Sequence, residues 1–379
     1  MDKEKETPQE EPKEEEKKEP KKTWKEVVKY YLHRYFITAM GSMATGLFAS
    51  LLIGTIFKAI GMIPHMEFMA TIGGYAQAMA GPAMAMAISY SLGAHPLVVF
   101  TSAGVGYAAN TLGGAGGPLA VFIIAIAASE IGMLVSKKTK VDIVVTPLVT
   151  LLAGGLLSLF LAPPIGTLVG YISQFIGWAS LQLPLVAGII ISVVIGVCLT
   201  LPISSAAICA GLILTGSAAA QGSSEGLAIA GAAAVAGCCA QMVGFAVISF
   251  RENRWGGVLS QGIGTSMLQM PNIIRRPQIW IAPTLASAIT GPLAVCVFGL
   301  RMYGAAINSG MGTCGLLGPI GMILGWFSPE NGYPREVTAL NWIGLVLICF
   351  VLPAVLSFVF NEILRKLGWV RDGDMKLDV

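Results

Sequence analysis

Between residues 261 and 283 the chain reads QGIGTSMLQMPNIIRRPQIWIAP. The chemistry offered there is hydrogen bonding to a solute, since Gln261, Thr265, Ser266, Gln269 and Asn272 are amides and hydroxyls in otherwise apolar surroundings. Gly262, Gly264, Pro271, Pro277 and Pro283 break the stretch too often for a plain helix. Inside a bilayer, backbone freed from helical geometry must be satisfied by protein or by water in a cavity, so an interrupted segment marks a place where a solute can bind. A polar side chain buried there without a partner would cost on the order of 1 to 3 kcal/mol. Thr265, Ser266, Gln269 and Asn272 are therefore expected to touch solute, on a re-entrant hairpin. The other reading is a cytoplasmic loop that rests on the membrane. Arg275 and Arg276 follow directly, either attracting an anionic solute or anchoring the segment on the cytoplasmic side under the positive-inside tendency.

A second candidate turn is 110–118, where Asn110 precedes Gly113, Gly114, Gly116, Gly117 and Pro118. Asn110 is expected to add a solute contact. Glu130 is the acidic residue that falls within an apolar span, and an intramembrane acid is by default a functional candidate. It lies seven residues before Lys137, about 10 Å deeper at the helical rise. Its readings are proton coupling, or a depth close enough to the interface for pairing with Lys137 or for water access. His33, His65 and His95 do not cluster, and the seven cysteines lack partners at metal spacing. No nucleotide-binding loop, zinc spacing or nucleophile elbow is present, so no catalytic residue, metal ligand or cofactor is expected.

The elements that must position these groups are membrane helices. Hydrophobic residues make up 55% of the 379 and charged residues 12%, with a mean hydropathy of +0.73. The run 143–224 contains no Asp, Glu, Lys or Arg. It is several times the roughly 20 residues that one crossing needs, so it must fold back through the bilayer. Spans are expected at 36–60, 70–92, 96–112, 117–136, 143–162, 184–201, 226–250, 280–300 and 339–362. Residues 203–218 form a further short crossing or hairpin, giving about ten in all. Residues 165–182, after Pro163 and Pro164, read as an interfacial amphipathic helix, and 304–326 as a Gly-rich segment that dips in and returns.

Residues 1–22 are almost all Lys, Glu and Pro, a composition that stays disordered. Residues 23–35 alternate bases and aromatics and suit a juxtamembrane helix. The transmembrane domain then covers 36–364, and 365–379 form a cytoplasmic tail. Basic groups at 21–29, 137–140, 251–254 and 365–371 can all face the cytoplasm only with an even number of crossings, which puts both termini inside.

Residues 140–165 (KVDIVVTPLVTLLAGGLLSLFLAPPI) and 264–294 carry a resemblance to a known family. Over roughly residues 30–365 the chain resembles the IIC, or permease, component of the bacterial phosphotransferase system, in its divergent perfringolysin O regulator-like branch. The resemblance implies an all-α polytopic protein of the bacterial plasma membrane and a homodimer. It also implies a transport half that moves as a body by an elevator-like motion, with solute held by broken helices. Sugar-transporting members carry a Gly-Ile-Thr-Glu-Pro type motif. Here Gly262, Ile263, Gly264, Thr265, Ser266 and Met267 stand in that neighbourhood without a glutamate. The first hairpin region, 202–216, offers Ser204, Ser205, Cys209 and Thr215 but no histidine. IIA and IIB phosphoryl-carrying domains are not found in this sequence.

The expected function is thus a transporter of a small polar or anionic solute rather than an enzyme. A non-transporting membrane sensor with a permease fold is the first alternative. The second is a phosphotransferase sugar permease served by separate IIA and IIB proteins. Lipid, solute and a second copy are the expected partners, with no role for nucleic acid.

Overall fold

A computed structural model describes residues 24–61, 65–179, 182–214, 224–304, 306–327 and 337–377, and all regular structure among them is helical. The charged segment 1–22, Thr215 and the loop 329–336 lie outside the described residues. Helices α1 (Trp24–His33), α2 (Met40–Leu47) and α3 (Ile53–Ile60) follow one another through two π-type stretches, forming the apolar rod Glu26–Ile60. Helices α4 (Glu67–Ala78) and α5 (Ala80–Ser91) return along that rod. Glycine lets the backbones touch, with Gly61 against Ala70, Gly54 against Gly73 and Gly46 against Ala83.

Helix α6 (Pro96–Gly113) opens on a proline, whose fixed φ and missing N–H suit a first helical turn. It packs on α5 through Gly81 and Gly106. At Gly114 the backbone takes φ 50° and ψ −120°, a region that side chains forbid, and the chain reverses there. Helix α7 (Gly117–Val135) runs back along α6, bringing Gly132 to Val98. The 40-residue apolar stretch Pro96–Val135 is accordingly two antiparallel helices.

Helix α8 (Asp142–Ala179) departs from the sequence expectation. It does not end at Pro163 and Pro164 but continues as one 38-residue helix, about 57 Å long at 1.5 Å per residue. Two prolines remove backbone donors at that point. Tertiary contact holds the path: Gly166 sits on the Gly113 carbonyl and Gly116 on Ile165, so the glycine turn braces α8 where its own ladder is interrupted. The half expected to be interfacial buries Val169, Ser173, Ile176 and Ala179, and exposes Leu168, Tyr171, Phe175 and Trp178 on the opposite face.

Helices α9 (Pro184–Thr200), α10 (Ser205–Leu214) and α11 (Ser224–Ile248) follow, then α12 (Phe250–Leu259) and α13 (Met270–Arg275). The chain closes with α14 (Ile281–Pro292), α15 (Ala306–Ser309), α16 (Leu317–Phe327), α17 (Ala339–Val346) and α18 (Leu352–Lys366). Helix α11 is the buried axis: α9 meets it through Gly196 and Gly237, and α14 packs against both, with Gly291 on Gly188 and Ser192. Residues 304–325 do dip and return, since Gly304 lies against Gly321 and Gly325 while the tip at Gly312 touches Cys238 and Cys239.

Among the described residues six helical stretches are long and apolar enough to cross a membrane, and Pro184–Thr200 and Cys314–Phe327 are shorter apolar helices. The protein is an all-α polytopic membrane protein. One apolar core joins α2 to α8 with α13 and the C-terminal residues Val370 and Met375. A second joins the far half of α8 to α9, α11 and α16. Arg34 reaches Leu92 and Glu130, and His33 shares a cavity with Lys376. Helix α1, the start and end of the α6–α7 pair, and the C-terminal segment therefore share one end of the bundle, here called the terminal end.

Candidate solute site

The stretch 250–276 is a hairpin. Helix α12 enters from the terminal end and kinks at Arg254, which adopts φ 51° and ψ −147°, unusual for a residue with a side chain. A π-type turn, Ser260–Gly264, leads to Thr265 in extended conformation, whose hydroxyl caps the following turn by accepting from the Met267 amide at 3.1 Å. After Ser266–Gln269 and α13 the chain is back at the terminal end, where Arg276 pairs with Asp374 at 3.7 Å.

The tip of this hairpin meets three other interruptions. Ser266 Oγ lies 2.8 Å from Thr200 Oγ1, at the end of α9. Thr200 Oγ1 is also within donating distance of Gln241 Oε1, at 3.3 Å, and either hydroxyl can donate in the shorter contact. Gln241 Oε1 accepts from Trp280 Nε1 at 3.0 Å, and its Nε2 donates to Thr284 at 3.2 Å. The Ser204 amide donates to the Ala115 carbonyl of the glycine turn at 3.0 Å. Ser205 Oγ donates to the Gly310 carbonyl at 2.6 Å, and Thr313 donates to the Gly262 carbonyl. Four broken segments are thus stitched together by hydroxyls and backbone carbonyls. Between them lies a cavity of about 50 Å³, lined by Pro118, Ser204, Ser205, Thr265, Met311 and Cys314 among others. It has room for a few waters, not for a hexose.

The amides of the same hairpin run the other way. Gln261 Nε2 donates to Ser249 at 2.9 Å, Gln269 Nε2 to Gln261 Oε1 at 2.9 Å, and Asn272 Nδ2 to Gln269 Oε1 at 2.9 Å. This row then takes hold of the C-terminal segment. Gln269 Nε2 donates to the Met375 carbonyl at 3.0 Å and Asn272 Nδ2 to the Lys376 carbonyl at 2.8 Å. Asn253 clasps the segment from both sides: its Nδ2 donates to Met375 O and its Oδ1 accepts from the Leu377 amide, each at 2.8 Å. Met375 is fully buried there. Arg365 anchors the start of the segment, pairing with Glu252 at 3.0 Å and with Asp372.

The residues expected to bind solute therefore separate. Thr265 and Ser266 sit at the tip beside the small cavity, while Gln269 and Asn272 face the C-terminal segment. Asn110 is half-buried on α6, its side-chain oxygen beside Gly117, and makes no hydrogen bond among the described residues. Glu130 pairs with Arg34 at 2.8 Å and accepts from the Tyr35 hydroxyl at 3.1 Å, so its partner is Arg34 rather than Lys137. It lies 13 residues along α7 from Gly117, about 20 Å from the tips.

Sequence reasoning missed Thr200, Gln241 and Thr313 as members of the tip network. A signal existed for Gln241, the single amide in the apolar run 226–248. Nothing in the C-terminal residues announced that Val370 and Met375 would be buried or that the hairpin amides would hold the segment. No group of three His, Cys, Asp or Glu side chains able to hold a metal occurs among the described residues.

A family model described as "Phosphotransferase system, EIIC" matches residues 37–377. No curated protein and no solved structure matches the chain.

Proposed function

Since this chain belongs to the phosphotransferase system EIIC family of membrane permeases, we propose that it carries a small polar solute of the sugar type across the bacterial plasma membrane, with Thr265 and Ser266 in the solute site. The observation that carries this reading is the convergence of four interrupted segments on one cavity lined by Ser204, Ser205 and Thr265. Hydroxyls and free backbone groups at the midst of an apolar bundle are where a permease can exchange its own hydrogen bonds for those of a solute. Asn110, beside the same glycine turn, is the contact expected from α6.

The cavity is closed to anything larger than water, so transport on this reading requires the tips to part. Movement of one apolar core against the other, in the manner of an elevator, would do so. Glu130 belongs to the reading as an anchor for Arg34 more readily than as a coupling acid, because its ion pair lies far from the tips. Collection of the basic groups at the terminal end supports a cytoplasmic placement for both termini. A phosphoryl-carrying IIB protein, where one is used, would be a separate partner. A homodimer fits the family, and among the glycines of residues 41–106 Gly74 and Gly93, which face open space, are left for its interface. Gly46, Gly54, Gly61, Gly73, Gly81 and Gly106 are consumed by contacts within the protomer.

A second reading has one observation in its favour. The amides Gln269 and Asn272 are occupied by the chain's own carbonyl groups, as they would be in a sensor that holds a fixed state. Counterflow of radiolabelled sugars and polyols in proteoliposomes separates the two. Exchange that is lost on substituting Thr265 and Ser266 supports transport, and binding of a solute without exchange supports the sensor.

A further inference from the structure

At the terminal end, a cavity of about 280 Å³ opens between α1–α2, α13 and the docked C-terminal segment. His33, Arg275 and Lys376 line it together with Thr38, Ser42 and Asn272, and among the described residues no carboxylate does. We propose that this cavity is a binding site for a phosphate-type anion, either a free phosphate compound or the headgroup of an anionic lipid.

The charge pattern carries the argument. Near this cavity Arg34 pairs with Glu130 and Arg276 with Asp374, and at the start of the C-terminal segment Arg365 pairs with Glu252 and Asp372. Arg275, adjacent to Arg276, makes no ion pair or hydrogen bond among the described residues. Neither does the Lys376 side chain. Lys376 is not there by drift, because Asn272 holds its carbonyl oxygen at 2.8 Å and Asn253 holds its neighbours Met375 and Leu377. The fold thus fixes a lysine on the wall opposite an unpaired arginine one turn along α13 from Asn272. Both side chains are exposed, so water screens their repulsion, and an anion seated between them is attracted by both charges at once. A guanidinium fork with an ammonium and neighbouring hydroxyls is the donor set suited to phosphate oxygens.

The site also depends on the C-terminal segment, which supplies Lys376 and one wall. Occupation by an anion would hold that segment down, and release of the segment would dismantle the site.

The test uses the full chain in nanodiscs of pure phosphatidylcholine, titrated with inorganic phosphate against chloride of equal ionic strength, with the thermal unfolding midpoint as readout. A saturable rise is expected for the wild type, with affinity weakened about tenfold or more in Arg275→Gln and in Lys376→Gln. Lys366→Gln, the same charge change outside the cavity, should bind as the wild type does. A wild type that ignores phosphate but is stabilised in pure phosphatidylglycerol nanodiscs, with that gain lost in Arg275→Gln, assigns the site to a lipid headgroup. Should Arg275→Gln fail to fold, Lys376→Gln decides alone. The proposal is overturned by a wild type that responds to neither anion, or by variants whose response equals that of the wild type. Transport plays no part in this readout, so its outcome is independent of the permease reading.

Discussion

The side-chain amide of Asn272 donates to the backbone carbonyl of Lys376 at 2.8 Å, across 104 residues of chain. This bond joins the hairpin 250–276 to the segment that follows α18. It makes the C-terminal residues part of the folded body.

Loosening that joint is the first test. Asn253→Ala and Asn272→Ala each remove two hydrogen bonds and should each cost about 2 kcal/mol, at a usual net worth of about 1 kcal/mol per bond. Hydrogen exchange at residues 370–377 should speed up, and trypsin should cut at Arg371 more readily than in the wild type. Unchanged exchange in both variants would mean that the burial of Met375 alone holds the segment.

The tip of the hairpin should behave differently. Thr265→Val and Ser266→Ala are expected to lower solute counterflow about tenfold or more, the effect of losing a hydrogen bond made to a solute in a water-poor site. Ser266→Ala should leave the melting temperature within a few degrees of wild type. Normal counterflow in both variants would place the solute elsewhere.

Backbone contacts through glycine set a third expectation. A side chain at Gly106 would run into the Gly81 carbonyl, and one at Gly237 into the Ser192 carbonyl. Gly106→Val and Gly237→Val should each lose about 1 to 3 kcal/mol or fail to fold, whereas Gly74→Ala, which faces open space, should express and melt like the wild type.

Glu130 and Arg34 are partly exposed, with side-chain accessibilities of 35% and 23%. Breaking such a pair costs about 1 kcal/mol at most. Glu130→Gln should therefore shift the melting temperature slightly and leave the pH dependence of counterflow intact. Loss of a proton requirement in this variant would instead make Glu130 the coupling acid.

The proposed topology is checked by a cysteine introduced at position 138, in the loop between α7 and α8. A membrane-impermeant maleimide should reach it only after the membrane is opened. Labelling from outside intact cells would reverse the assignment of the terminal end.

Hydropathy and helix breakers are properties of a few consecutive residues, and what they govern was legible in the sequence. The apolar runs became helices, six stretches of them long and apolar enough to cross a membrane, the reversal at Gly114 lay between two expected spans, and the first part of the broken stretch 261–283 became the tip and returning arm of a hairpin. Partners were not legible, because they are chosen by packing over long separations. Ser266 meets Thr200 across 66 residues and Glu130 meets Arg34 across 96. Pro163 and Pro164 read locally as a helix end, yet α8 runs on because the glycine turn from a different part of the chain braces it. Gln269 and Asn272 read locally as amides in need of a solute. Only the tertiary structure decided that backbone carbonyls more than a hundred residues away would satisfy them first, since a buried donor accepts whichever acceptor the fold brings within reach.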